Sequence, residues 1–195
     1  MNYKDYQNAR DAVWKLLIAV GADELPIKVT QICQALGVQT RLYAPKDGND
    51  GMCLILDGQP VIFVSTHVSV ARQRFTAAHE LGHILLGHVG HSGLLNREPK
   101  PSDNPIEQAA NVFASRLLAP ACVMWGCGVE SAEEIAQLCS ISQAAAEFRW
   151  ARMQVLYQRG AFLSSPLERQ VYRQFHSYIE EHRIRRPPAA PGVGQ

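Results

Sequence analysis

"TAAHELGHILLGH", residues 76–88, sets two histidines and a glutamate inside an otherwise apolar run. Polar groups buried in such a run are costly unless something partners them. On a helix, His79 and His83 stand four residues apart, on one face a turn apart, with Glu80 beside them. Ala77, Ala78, Leu81, Ile84 and Leu85 fill the opposite arc and suit packing on a sheet. The pattern is H-E-x-x-H: two imidazoles for zinc, and a carboxylate placed to take a proton from a water the metal activates. The same letters also fit two core histidines bonded to backbone carbonyls, with Glu80 facing solvent.

A catalytic zinc needs a third protein ligand. A histidine six residues after the second one, with a glycine three after it, is absent, since Val89 and Leu86 occupy those positions. His88 lies about half a turn from His79 if the helix continues. Gly87 is placed to release the chain, so His88 and His91 stay as outside candidates. The stronger one lies in "PIEQAANVFASRLLAP", residues 105–120, where Glu107 and Asn111 share a helix face around a small Ala110. Glu107 completes a His₂Glu set, and Asn111 can accept the outer ring N–H of a ligand histidine and fix its tautomer. The competing reading makes Glu107 the N3 residue of a helix capped by Asn104.

Outward from these motifs, Ser69 to Leu86 reads as the metal helix, and Asn104-Pro105 opens a second helix that runs to Leu118, before Pro120. Upstream, Ala9, Val13, Leu16, Leu17 and Val20 recur at helical spacing over residues 2–20, with Gly21 as the stop. A short helix fits 29–36. "TRLYAP" reads as a strand, and "MCLILDGQPVIFVS" reads as a hairpin turning at Asp57-Gly58. Downstream, Ser131 with Glu134 and Ser165 with Glu168 form capping boxes. The last helix has Leu167, Val171, Phe175 and Ile179 as its buried stripe, and a Pro/Gly/Ala-rich tail follows.

Composition narrows the class. With 195 residues, 47% hydrophobic and 19% charged, the chain has the make-up of a globular protein that folds without help from metals or disulfides. A net charge of +1 argues against a large nucleic-acid footprint. The N-terminus "MNYKDYQNAR" has no apolar core of a signal peptide, and no apolar run is long enough for a bilayer. The expected location is cytoplasmic, with no membrane partner and with Cys33, Cys53, Cys122, Cys127 and Cys139 as reduced thiols. Cys122 and Cys127 read as small buried hydrophobes, not as half of a metal pair, and Trp125 and Trp150 as core or interface.

"RFTAAHELGHILLGH" followed by "IEQAANVFASRLLAP" resembles the ImmA/IrrE family of zinc metallopeptidases, whose pattern runs R-F-S/T-x-A-H-E-x-G-H, then E-x-x-A-N-x-F-A-x-x-L-L-x-P. The resemblance spans about residues 25–155. It implies a gluzincin-like centre in which His79, His83 and Glu107 hold one Zn2+ and Glu80 is the general base. It also implies a metalloendopeptidase that cleaves a helix-turn-helix transcriptional repressor of a stress-response or mobile-element locus. Two departures stand out: Gly87 precedes His88, and Ala119 replaces the usual Met before Pro120.

The expected fold is α+β: a mostly helical zincin-like domain over residues 1–160, with a small antiparallel sheet packed against the HEXXH helix. Within it fall N-terminal helices at 1–37, the sheet at 38–65, the metal-site helices at 69–118 and a helical pair at 131–157. A C-terminal helix at 161–184 and a disordered tail at 185–195 complete the chain. Tyr157, Arg149, Arg116 and His88 are the candidates for stabilising an oxyanion, and strand region 52–65 offers an edge along which a peptide substrate could lie.

Two rival functions accompany this reading. One is a non-catalytic antagonist that binds the repressor without cutting it, for which an intact Glu80 has no use. The other is a DNA-binding regulator using the helix-turn-helix-like segment 133–153, with Gln143, Arg149 or Arg152 on the duplex. Glu133, Glu134 and Glu147 outnumber the two arginines there, so direct nucleic-acid binding is disfavoured.

Overall fold

A computed structural model describes residues 3–46, 48–88 and 104–185. Helices α1 (Tyr3–Ala19) and α2 (Val29–Ala35) precede strands β1 (Gln39–Tyr43), β2 (Gly51–Leu56) and β3 (Gln59–Ser65). The two helices of the motif region follow, α3 (Val70–Leu85) and α4 (Pro105–Leu118). Then come α5 (Ala121–Gly126), α6 (Ala132–Cys139), α7 (Gln143–Arg159), α8 (Pro166–Gln174) and α9 (His176–Glu181). This is the mostly helical α+β architecture expected, and the sheet does pack on α3.

The sheet itself differs in one respect: it is mixed. β2 and β3 form the antiparallel hairpin about Asp57-Gly58, but β1 pairs parallel to β3, with Gln39 opposite Val61 and Tyr43 opposite Ser65. The strand order is β1-β3-β2. Successive strands reverse direction, so β1 would be antiparallel only beside β2. It lies beside β3 because β3, carrying Val61, Ile62 and Val64 into the core, is the most apolar strand and takes the middle. The mostly exposed β1 is left at an edge.

Each helix of the motif region starts where its sequence specifies. Ser69 accepts a hydrogen bond from Arg72 N at the start of α3, and Asn104 accepts one from Ile106 N at the start of α4, with Pro105 next. At the other end of α3, Gly87 takes φ +73° and the His88 amide donates to His83 O at 2.9 Å. That left-handed step turns the chain back beneath the last helical turn.

Two glycines set how closely the layers approach. A Cβ on Gly82 would lie 3.0 Å from Phe113 Cδ1 on α4, and one on Gly51 would lie 2.7 Å from Phe63 O and collide with Thr76 on α3. α3 is therefore pressed between β2 and α4 with nothing to spare on either side. Arg74 ties it further: Nη1 donates to Cys139 O at 2.9 Å and also to Ser140 O, and Nη2 donates to Ile27 O at 3.0 Å.

The C-terminal region departs from a single helix over 161–184. The chain breaks at Phe175 into α8 and α9, and Val171, Phe175 and Ile179 are all fully buried, with Leu167 half-buried. Gln174 at the break donates to Leu17 O at 2.8 Å and to Ala22 O, joining α8 to the end of α1. The loop beyond His88, His91 within it, and the tail from residue 186 lie outside the described residues. All five cysteines are free and buried, and burial raises the Cys33 and Cys127 thiols to about 11 and Cys139 to about 12. Trp125 stacks on Phe162 at 5.3 Å, and Trp150 meets Tyr157 edge-on at 6.0 Å.

Substituting Gly82→Val should force α3 and α4 apart against Phe113. Overpacking of this kind costs about 1–3 kcal/mol, so urea unfolding of the metal-free protein should show a lower midpoint at unchanged m-value.

Candidate metal centre

The three side chains singled out by spacing meet at the α3–α4 crossing. His79 and His83 face each other with ring centroids 4.6 Å apart and Nε2 atoms 3.0 Å apart. Glu107, from the first turn of α4, brings Oε2 to 3.2 Å from His79 Nε2 and Oε1 to 3.6 Å from His83 Nε2. One ligating atom from each lies within 4.8 Å of the other two. Asn104 caps α4 through the Ile106 amide while the Glu107 carboxylate turns to the imidazoles.

The donor chemistry fits a cation. Donors held about 2.1 Å from one tetrahedral ion stand about 3.4 Å apart. The observed separations of 3.0, 3.2 and 3.6 Å bracket that value. The outer nitrogens are occupied as well. His79 Nδ1 lies 3.0 Å from Asn111 Oδ1, an oxygen that only accepts, so Nδ1 carries the proton and Nε2 presents its lone pair. Three such atoms converging need something positive between them, and a divalent cation satisfies all three at once.

His88 occupies a place the sequence left open. Its Nδ1 is 3.1 Å from His83 Nδ1, the nitrogen turned away from Glu107. It backs the His83 ring and is not among the three converging groups. The Gly87 turn produces this arrangement, since a continued helix would have carried position 88 elsewhere. Glu80 is 1% exposed beside the two histidines, in contrast to the solvent-facing position of the competing reading. The side chain of His83 is fully buried while His79 is 13% and Glu107 25% exposed, so the centre opens to solvent along the His79–Glu107 edge.

The remaining oxyanion candidates lie elsewhere. The Tyr157 hydroxyl donates to Val129 O at 2.7 Å beside Trp150 and Phe162. Arg149 donates through Nε to Ala119 O at 2.8 Å, and Arg116 donates to the Tyr6 hydroxyl. For the helix-turn-helix reading, Arg149 is buried, and Gln143 donates to Glu133 and Glu147, each at 3.2 Å. Two of its three reading residues are thus engaged within the protein. The α6–α7 pair packs as part of the core, with Ile135, Ala146 and Met153 fully buried.

The family model described as IrrE N-terminal-like domain, of the Peptidase M78 family, matches residues 33–153, more than half of the chain and both motifs. The chain belongs to this family. No curated protein matches it. Membership brings a metallopeptidase-type function and a protein substrate, and the His79, His83 and Glu107 group is where this M78 chain could hold a metal. No helix among the described residues is long and apolar enough to cross a membrane.

Two contacts have no clear announcement in the motifs. Phe75 stacks on His79 with centroids 6.3 Å apart, one turn up α3, a spacing that could have signalled it. Tyr6 reaches Arg116 from 110 residues away, and no local pattern announces that.

Replacing Asn111 or His88 by Ala frees an outer imidazole nitrogen. Loss of such a partner typically weakens metal binding about 10–100-fold, so competition with a chromogenic chelator should show both variants releasing metal at lower chelator concentration, with helical content unchanged.

Proposed function

We propose that this protein is a zinc-dependent endopeptidase that cleaves a helix-turn-helix transcriptional repressor in the cytoplasm. The observation that carries the reading is the convergence of His79, His83 and Glu107 within 4.8 Å, with the buried Glu80 next to His79 on the same helix. Neither a purely structural metal nor a binding-only antagonist has a use for Glu80 at that position.

When bound, zinc supplies the Lewis acidity that makes a water nucleophilic near pH ~7. His79 and His83 offer their Nε2 atoms, held in orientation by Asn111 and His88 behind them. Glu80 accepts the proton of the attacking water and passes it to the departing amine. Burial keeps that carboxylate from exchanging freely with bulk water.

An extended substrate needs an unpaired strand edge near the centre. Of the stretch 52–65, β3 is paired on both sides, whereas β2 pairs with β3 alone among the described residues. β2 also packs directly on α3 through Gly51 and Thr76, which supports it as the edge along which the peptide lies. The repressor assignment rests on the ImmA/IrrE resemblance of both motifs.

Glu80→Gln should retain one equivalent of zinc after dialysis yet lose cleavage of a candidate repressor by about 10²–10⁴-fold, the usual size of a general-base contribution. Metal analysis with gel or mass-spectrometric fragment detection reads both. Glu107→Ala should instead lose the metal; undiminished zinc stoichiometry in that variant would return Glu107 to being a helix cap.

A further inference from the structure

Next to the metal centre lies a cavity of about 910 Å³ between α1, the first turns of α3, α4 and α7. Phe75 and Asn111, both in contact with His79, form the wall it shares with the centre. Its cationic side is built from Arg116, Arg149 and Arg152 around Tyr6. Arg116 and Arg152 both approach the Tyr6 ring, with Cζ 4.5 and 5.5 Å from its centroid.

None of the three guanidiniums forms an ion pair within 4 Å among the described residues; the buried Glu168 carboxylate, which accepts from Ser164 N at 3.0 Å, favours the Arg116 cation from a distance without pairing with it. Arg149 is 2% exposed, and its Nη2 is buried with no acceptor. Arg152 Nε is likewise buried without one. Burial, and next the Arg116 cation, pull the Arg149 guanidinium down to about 9. Clustered guanidiniums with buried donors left without an acceptor are strongly unfavourable, and an anion arriving from outside relieves them. The rest of the wall mixes polar side chains, Gln108, Ser115 and Ser142 among them, with apolar ones, and Phe148, 77% exposed, stands at the rim.

We propose that this cavity is a specificity subsite that receives the carboxylate of a Glu or Asp side chain in the peptide substrate. A planar guanidinium fork suits a carboxylate, and the wall shared with His79 places the anion on the same chain that crosses the metal centre. The proposal rests on the peptidase reading and names the substrate class that reading leaves open: peptides with an acidic residue near the bond to be cut.

The test uses full-length, metal-loaded Glu80→Gln protein, so that peptides bind without being consumed. Fluorescent octapeptides carrying Glu or Gln at each position in turn are titrated by anisotropy. The expected result is one position at which Glu binds about tenfold or more tightly than Gln, that is, by about 1.4 kcal/mol. Adding Arg152→Gln should erase the difference while leaving the Gln peptide's affinity in place. Arg149→Lys should reduce it, keeping the charge but losing the fork. Thermal melts establish that both variants fold, and Arg152, the partly exposed member, carries the test if Arg149→Lys does not.

Equal or absent binding of Glu and Gln peptides at every position overturns the subsite, as does a preference that survives in folded Arg152→Gln. Displacement of the Glu peptide by inorganic phosphate at equal concentration also overturns it, in favour of a free-anion site. Wild-type protein incubated with the best peptide separates the two claims. Fragments without an acidic preference leave the peptidase standing and remove the subsite, whereas an acidic preference without fragments does the reverse.

Discussion

Everything in the centre depends on how near α4 comes to α3. Two imidazoles on one helix share a face as a matter of periodicity, but a carboxylate from a second helix reaches them only if the backbones approach closely. Gly82 supplies that closeness, with Phe113 lying against its bare Cα, and the small Ala110 of α4 is fully buried. The glycine inside H-E-L-G-H therefore helps bring the three side chains together, although it offers no donor of its own.

Closeness of that kind would be wasted if the rings could turn. The imidazoles are fixed from behind by partners of different origin: Asn111 one turn beyond Glu107 on α4, and His88 delivered by the reversal at Gly87. Asn111 takes part in two settings at once. It orients His79 and also walls the cationic cavity, so the geometry of the centre and whatever occupies that cavity share a side chain.

Much of this was legible in the sequence because it is local. Spacing four apart puts His79 with His83 and Glu107 with Asn111, and Ser69, Asn104, Ser131 and Ser165 each accept the helix-opening hydrogen bond expected of them. Other features depend on distant packing. The parallel placement of β1 follows from which strand takes the centre of the sheet, and turn chemistry at Asp57-Gly58 speaks only for β2 and β3. The split of the last helix depends on Gln174 bonding carbonyls about 150 residues away. The arginine cluster draws on α1, α4 and α7 together, and only folding joins them. Glu107 was ambiguous for another reason: N3 of a capped helix and a possible ligand position coincide, and here Asn104 caps the helix while the Glu107 carboxylate turns to the imidazoles.

The grip of Arg74 has a consequence for motion. One guanidinium on α3 holds the carbonyl end of α6 and the segment entering α2. Local opening of the α6–α7 pair, the part that looks most like a separable module, would break two of the hydrogen bonds that tether the helix carrying His79 and His83, so the two elements are coupled in their opening.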